Sequence, residues 1–207
     1  MSSLVGAARE VFELKKIHLV SRLDRETSGL VILAKSSRMA RLLQVALAER
    51  MVQKHYIAFV KGEMLERIEV SKALGKDPNT SVFVKQCVLE REGGQKAQTT
   101  FKPLEFRNGV TRVAVTPHTG RKHQIRAHAE WAGFPIVGDK LYGPDPLLYL
   151  EFIEHGWTDR HEAVLPMKRQ ALHAQSMEFI TEEGVFKYEA PVLADMETYW
   201  ARCAVAG

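Results

Sequence analysis

Apolar positions recur along this chain with two different periods, and the switching between them predicts its elements. From Leu4 to Leu14 the spacing is helical, with Leu4, Val5, Ala8, Val11 and Phe12 on one side. Leu30 to Ala34 is a short apolar run of the kind that forms a buried strand. Ser36 and Ser37 then offer an N-cap for a helix from about Arg38 to Arg50. Its apolar side would be Met39, Leu42, Leu43, Ala46 and Leu47, a stripe with the spacing of core. His55 to Lys61 predicts a strand and Leu74 to Asn79 a loop. Val82 to Glu90 and Ala97 to Phe106 predict strands joined around Gly93-Gly94. Asn108-Gly109 is a hairpin signal leading into Val110 to Thr116. A helix is expected over Arg121 to Ala132, closed by Gly133 and Pro135, and another over Pro146 to His155. The glycine-containing stretch Gly133 to Asp139 reads as a tight loop. Strands at Ala171–Ile180 and Val185–Glu189 flank the turn Glu182-Glu183-Gly184, and Asp195 caps a last helix to Cys203. Repeats, low-complexity runs and linkers are lacking, so the pattern predicts one α/β domain of the α+β type over residues 1–207, dominated by antiparallel pairs.

Composition narrows this picture only in places. At 207 residues, 45% hydrophobic and 26% charged, the chain suits one soluble globular domain with a sizeable core. Its net charge of +4 permits a polyanionic partner without requiring one, because clustering matters more than the total. The two cysteines, Cys87 and Cys203, form neither a metal spacing nor a disulfide framework, which makes a reducing cytoplasm the expected compartment. No apolar run approaches membrane-spanning length, and no signal-peptide core stands at the N-terminus.

The chemistry concentrates in three segments. In the first, Asp24 lies between Arg22 and Arg25, and nearby positive charge favours an ionised carboxylate. Thr27-Ser28-Gly29 reads as a turn into the apolar run, so the acid stands at the mouth of a core element. A catalytic or substrate-gripping carboxylate fits that position, and so does a solvated Arg-Asp-Arg loop. The second segment is His118 to His128, in which six of eleven residues are Arg, Lys or His. A glycine and free N–H groups at a helix start among cations suit phosphate, although a basic exposed helix would have the same composition. On one helix His123 and Arg126 would share a face, as would Lys122 and Arg126, with Arg126 turned inward and Arg121 and Lys122 toward solvent or phosphate. The five-residue spacing of His118, His123 and His128 does not match paired helical metal ligands, and no Cys pair accompanies them. Walker A and dinucleotide-binding patterns are also lacking. The third segment is Gln53 to Phe59, where strand alternation puts Tyr56 and Ala58 on one face and His55, Ile57 and Phe59 on the other. A tyrosine so placed is either core or a platform for a flat base.

Together these segments resemble a known family, the RluA-type pseudouridine synthases. Arg22-Leu23-Asp24-Arg25-Glu26-Thr27-Ser28-Gly29-Leu30 resembles its H-R-L-D-R-x-T-S-G-L motif, and Lys54-His55-Tyr56 its K-x-Y motif. His118 to Arg126 resembles T-G-R-x-H-Q-I-R, and Pro135 to Gly143 resembles P-I-x-G-D-x-x-Y-G. Ala171-Leu172-His173-Ala174 matches the late L-H-A strand, so five motifs follow in order between about residues 18 and 190. The resemblance implies isomerisation of uridine to pseudouridine within ribosomal or transfer RNA, with no cofactor, no metal and no obligate protein partner. It implies that Asp24 is the catalytic aspartate, that Arg126 pairs with it, and that Tyr56 stacks on the target uracil and is a candidate to remove the C5 proton. Arg22 and Arg25 would contact RNA or help the nucleotide leave its stack, while Arg121, Lys122 and His123 would contact phosphates.

Two departures from the family pattern stand out. Ser21 occupies the position where the family usually has histidine. Only 23 residues precede Asp24, without the family's Lys-Pro strand segment, which predicts a catalytic domain shortened at its N-terminus and lacking an S4 domain. Losing a strand there would expose backbone edge groups and apolar surface. A catalytically silent RNA-binding remnant of the same fold is therefore the alternative to an active synthase. A phosphodiesterase built on the His/Arg cluster would need a paired acid–base spacing that is not present.

Overall fold

The computed structural model describes residues 3–90 and 93–205. Its strands are β1 (His18–Leu19), β2 (Ser28–Gly29), β3 (Leu33–Ala34), β4 (Val52–Lys61), β5 (Ile68–Ser71), β6 (Leu74–Lys76), β7 (Gln86–Val88), β8 (Gln98–Arg107), β9 (Val110–Pro117), β10 (Leu172–Thr181) and β11 (Gly184–Glu189). Its helices are α1 (Leu4–Val11), α2 (Ser37–Ala48), α3 (Gln124–Trp131), α4 (Leu147–His155), α5 (Asp159–Val164) and α6 (Ala194–Val205). A seven-stranded sheet runs in the order β11-β10-β4-β9-β8-β5, with β2 paired beside β10. β1 and β3 form one separate two-stranded piece, and β6 and β7 another. Among the described strands only β2 and β10 pair in parallel, so the fold is a mixed α/β arrangement of mainly antiparallel pairs.

β4 sits at the centre because Ile57, Ala58, Phe59 and Val60 can be buried on both of its faces. α6 covers one face, where the Phe59 ring meets Trp200 at 5.1 Å and Tyr199 at 6.3 Å. Tyr56, an odd number of residues from Phe59, therefore looks to the opposite face. α2 starts at Ser36, whose hydroxyl accepts from the Met39 N–H at 3.2 Å. It lays Leu43 and Ala46 against Met177 and Phe179 of β10. Two hairpins follow the turn chemistry of the sequence. Asn108 and Gly109 both have positive φ (39° and 76°) and join β8 to β9, and Glu182-Glu183 joins β10 to β11.

The structure departs from the periodicity in definite places. The strand expected over Leu30–Ala34 is split into β2 and β3. At φ +106° Gly29 lies so close to β10 that a Cβ would come within 2.2 Å of the Ala174 carbonyl oxygen. After the Leu30 N–H donates to that same carbonyl, the chain crosses to pair with β1. Ser21 helps hold this crossing, because its Oγ accepts from the Ile32 N–H at 2.9 Å. α1 ends at Val11 rather than Leu14, and none of its residues is buried; Phe12 lies under the Lys35 ammonium at 4.2 Å.

Of the strand expected over Val82–Glu90 only β7 forms, and it pairs with β6 inside the expected 74–79 loop, not with β8. The intervening loop closes on itself, with Lys85 Nζ 3.5 Å from Asp77 and Val82 buried. Asp195 lies inside the first turn of α6, where its carboxylate accepts from the Met196 N–H and from Nε and Nη2 of Arg169. Among the described residues no helix is long and apolar enough to cross a membrane.

Candidate functional site

Asp24 sits on a short turn that three other parts of the fold hold in place. The turn closes with the Thr27 N–H donating to the Asp24 carbonyl at 3.1 Å. Gln170, 1% exposed, donates its amide to Thr27 Oγ1 (2.7 Å) and to the Arg25 carbonyl (3.2 Å). Glu26, at φ 69°, accepts from the buried Lys140 ammonium at 2.8 Å. The Ser28 hydroxyl bonds His173 Nδ1 at 2.9 Å. Three of the five sequence motifs thus converge on one turn, and its carboxylate needs no movement to stay aimed.

Arg126 comes from the opposite side. α3 buries it to 4% exposure, which demands partners for a guanidinium. Nε and Nη2 form a two-point contact with Asp139 at 2.7 and 2.9 Å, while Nη1 reaches Asp24 at the longer distance of 3.4 Å. Asp139 is fully buried and also accepts the Leu141 and Tyr142 N–H groups. Burial opposes the charges of both groups, yet their mutual attraction and hydrogen bonds win. Asp139 is held below the ordinary carboxylate range and Arg126 above the ordinary guanidinium range. The arrangement fixes Arg126 by Asp139 and leaves one edge of its fork for Asp24.

The basic segment is a tied turn followed by a short helix, not one helix from residue 121. His123 takes the left-handed conformation (φ 55°) and α3 starts only at Gln124. The Gln124 amide organises the turn. Its oxygen accepts from Thr119 Oγ1 (2.7 Å) and the Arg121 N–H (3.0 Å), and its nitrogen donates to the Gln98 carbonyl and Thr99 Oγ1. The shared helix face expected for Lys122, His123 and Arg126 therefore does not exist. Arg121 and Lys122 are exposed at the cavity rim, and Arg121 Nε donates to the Lys96 carbonyl. His118 and His128 serve the sheet through Thr100 and Thr99 respectively.

Between these elements lies a cavity of about 410 Å³, a size that admits a nucleoside-sized group. Asp24, Arg22, Lys54, Tyr56, Arg121, Lys122 and His123 line it. Burial and the charge of Asp24 push the Tyr56 phenol up to about 12, so at neutral pH it is protonated. Burial pulls the Lys54 ammonium down from its ordinary value. Burial, and then the Arg126 guanidinium, push His123 down to about 4 against the pull of Asp24. His123 is thus an uncharged ring at neutral pH, not the cation that a phosphate contact would use.

Of the sequence-predicted residues, Asp24, Tyr56, Arg22, Arg121, Lys122 and His123 meet at this cavity, and Arg126 stands behind Asp24. Arg25 is elsewhere: it is exposed, with its guanidinium over the Phe152 ring at 5.7 Å. Sequence reasoning missed Asp139, Gln170, Gln124, Lys54 and Tyr142. Asp139 had a usable signal, since an acid between the apolar pairs Ile136-Val137 and Leu141-Tyr142 has to find a cation if the segment is buried. The amides gave none, because Gln170 bonds a turn more than 140 residues away and Gln124 bonds both its own turn and the distant strand β8.

Fold and site together define an α+β protein in which one carboxylate, backed by a buried arginine, faces a cation-rimmed cavity on a largely antiparallel sheet. The breadth of sequence similarity agrees with that geometry. The chain belongs to the RNA pseudouridylate synthase family, whose model matches residues 3–131. It is 30% identical over 203 residues to ribosomal large subunit pseudouridine synthase D of Nitrosomonas europaea, covering 95% of this chain and 54% of that protein. It is 35% identical over 187 residues to ribosomal large subunit pseudouridine synthase C of Vibrio vulnificus, covering 89% and 55%. The structure called human RNA pseudouridylate synthase domain containing 1 superimposes with a TM-score of 0.77 at 26% identity, over 95% of this chain and 78% of that one. The chain spans about half the length of the curated relatives it matches.

Proposed function

We propose that this chain isomerises uridine to pseudouridine within RNA. The observation that carries the reading is Asp24, held on its braced turn 3.4 Å from Arg126 and facing the same cavity as Tyr56. In the reaction the C1′–N1 bond breaks, uracil turns in place, C5 bonds to C1′, the C5 proton is released, and the freed N1 takes up a proton in its place. Atoms balance without a co-reactant, so the reaction calls for no cofactor. Asp24 acts on the ribose or the base, or assists a glycal route, and each of these uses a carboxylate fixed beside the reacting nucleotide. Tyr56 lies under the uracil ring. Its resting state is the phenol, so any part in removing the C5 proton begins by passing the phenolic proton to a neighbour, and Asp24 is the charged group acting on it.

Arg22, Arg121 and Lys122 are the phosphate-facing cations of the cavity, and Arg25 meets RNA outside it, beside Phe152. Two relatives are named for the ribosomal large subunit, which makes ribosomal RNA the first substrate to try, with transfer RNA second, in the cytoplasm. Mapping pseudouridines in total RNA from cells with and without the gene tests the reading, which predicts at least one site lost with the gene. Identical maps would oppose it. Arg121→Ala and Lys122→Ala should each weaken RNA binding and reduce the slope of log affinity against log salt by roughly one. Filter binding across a salt series checks this, and an unchanged slope would take both residues off the phosphate surface.

A further inference from the structure

We infer that His123 recognises the target base, its Nε2–H donating a hydrogen bond to a carbonyl oxygen of the uracil, with Tyr142 as the positioning residue that fixes this tautomer. The inference deepens the pseudouridine synthase reading and rests on it.

The hydrogen bonds around Tyr142 carry the argument. Tyr142 is fully buried, and its phenolic oxygen accepts from the Gln86 N–H at 2.9 Å. The same oxygen lies 3.0 Å from His123 Nδ1. Among the described residues the phenolic O–H has no other acceptor, and a buried hydroxyl is costly to leave unpaired. It therefore donates to Nδ1, which acts as an acceptor. A neutral imidazole with an accepting Nδ1 has its proton on Nε2. That nitrogen makes no hydrogen bond among the described residues, and no buried side-chain nitrogen or oxygen there lacks a partner. Nε2–H is thus open to the cavity that His123 lines with Asp24 and Tyr56. A second proton on the ring is opposed by burial and by Arg126. What faces the nucleotide is a fixed, uncharged N–H donor, suited to a carbonyl more than to a phosphate.

The chemistry gives this donor a purpose. When the C1′–N1 bond breaks, its electron pair stays with the uracil and spreads onto O2 and O4. A donor already aimed at one of these oxygens binds more strongly as charge develops there, so it lowers the barrier, and no proton changes hands. The Tyr142 hydroxyl acts through His123, while its ring lies 4.8 Å from the Arg126 guanidinium, and the left-handed backbone at His123 (φ 55°) sets the histidine ring's direction at the start of α3.

Two experiments test the inference. Nitrogen-15 NMR of histidine-labelled protein at neutral pH should show His123 as the Nε2–H tautomer. Uridine 5′-monophosphate should shift its Nε2 signal, and ribose 5-phosphate should not. An Nδ1–H or doubly protonated ring, or an equal shift with ribose 5-phosphate, would overturn the inference in favour of a phosphate contact. In turnover, His123→Ala should lower kcat by about 100-fold with KM changed only a few-fold, the scale of one preorganised donor. His123→Gln, which keeps an N–H at similar reach, should recover part of the loss. Tyr142→Phe should lower kcat less and populate both tautomers in the NMR spectrum. If the wild-type protein converts uridine and His123→Ala keeps its kcat, this inference fails while the synthase reading stands. If the wild-type protein converts no uridine, that reading fails, and the nucleotide titration still decides the His123 contact.

Discussion

Asp24→Asn should lower pseudouridine formation by on the order of 10⁴-fold or more and leave RNA affinity within a few-fold, as for other essential side chains that act as a unit. The substitution keeps the shape of the side chain and the turn beneath it. Gln170 still bonds Thr27 and the Arg25 carbonyl, Lys140 still bonds Glu26, and Ser28 still bonds His173, because none of these contacts uses the Asp24 carboxylate. Arg22, Arg121 and Lys122 remain at the rim to bind phosphate. Only the negative charge is lost, and with it any attack on, or charge stabilisation at, the ribose or base. Single-turnover kinetics beside equilibrium binding separates the two quantities. Substantial residual turnover would remove Asp24 from the chemistry, and collapse of binding would show that it grips rather than reacts.

Asp139→Ala is expected to have the second largest effect, on stability and activity together. It leaves the 4%-exposed Arg126 guanidinium with one 3.4 Å contact, and it strips the Leu141 and Tyr142 N–H groups of their acceptor. Removing one partner of a buried ion pair costs about 3–5 kcal/mol, a large part of a domain's stability. The pH dependence has a definite sign. Burial alone would raise the Asp139 carboxyl, but Arg126 overcomes it and holds the carboxyl low. Its stabilising contribution is therefore fully present above about pH 4 and is lost as pH falls below that. Asp139→Asn should lack this acid-dependent loss. The double change Arg126→Met with Asp139→Leu separates stability from function. It should recover much of the stability, since a buried pair is replaceable by apolar side chains, and none of the turnover. Urea unfolding and turnover on the four proteins check the set. A double variant that stays active would show that Arg126 does not serve Asp24.

These two residues also mark how far the sequence could be read. Asp24 stood out because its neighbours in sequence are charged and its motif ends in a turn. Tyr56 followed from strand alternation, and α2, α4 and the two hairpins from their periodicity and turn residues. Local signals of this kind survive folding because each is satisfied within a few residues. Asp139 drew no role because its partner lies thirteen residues back, on a helix whose first turn the sequence misjudged. That misjudgement has a physical cause. The Gln124 amide ties residues 119 and 121 to β8, pulling Lys122 and His123 out of the helix that their spacing suggested. The split of the expected strand at residues 30–34 arises similarly, from the close approach of Gly29 to Ala174 across the sheet. Long-range hydrogen bonds and backbone contact, invisible in the one-dimensional pattern, decided both.

The central claim is that the cavity around Asp24 moves uracil from N1 to C5 attachment, which must release the hydrogen held at C5. Incubating the protein with ribosomal RNA labelled with tritium at uracil C5 measures that step directly. The account predicts tritium released to water in step with pseudouridine formed, and background release with Asp24→Asn. Background release by the wild-type protein from ribosomal and transfer RNA alike, despite tight binding to either, would contradict it and mark the chain as an RNA-binding protein without turnover.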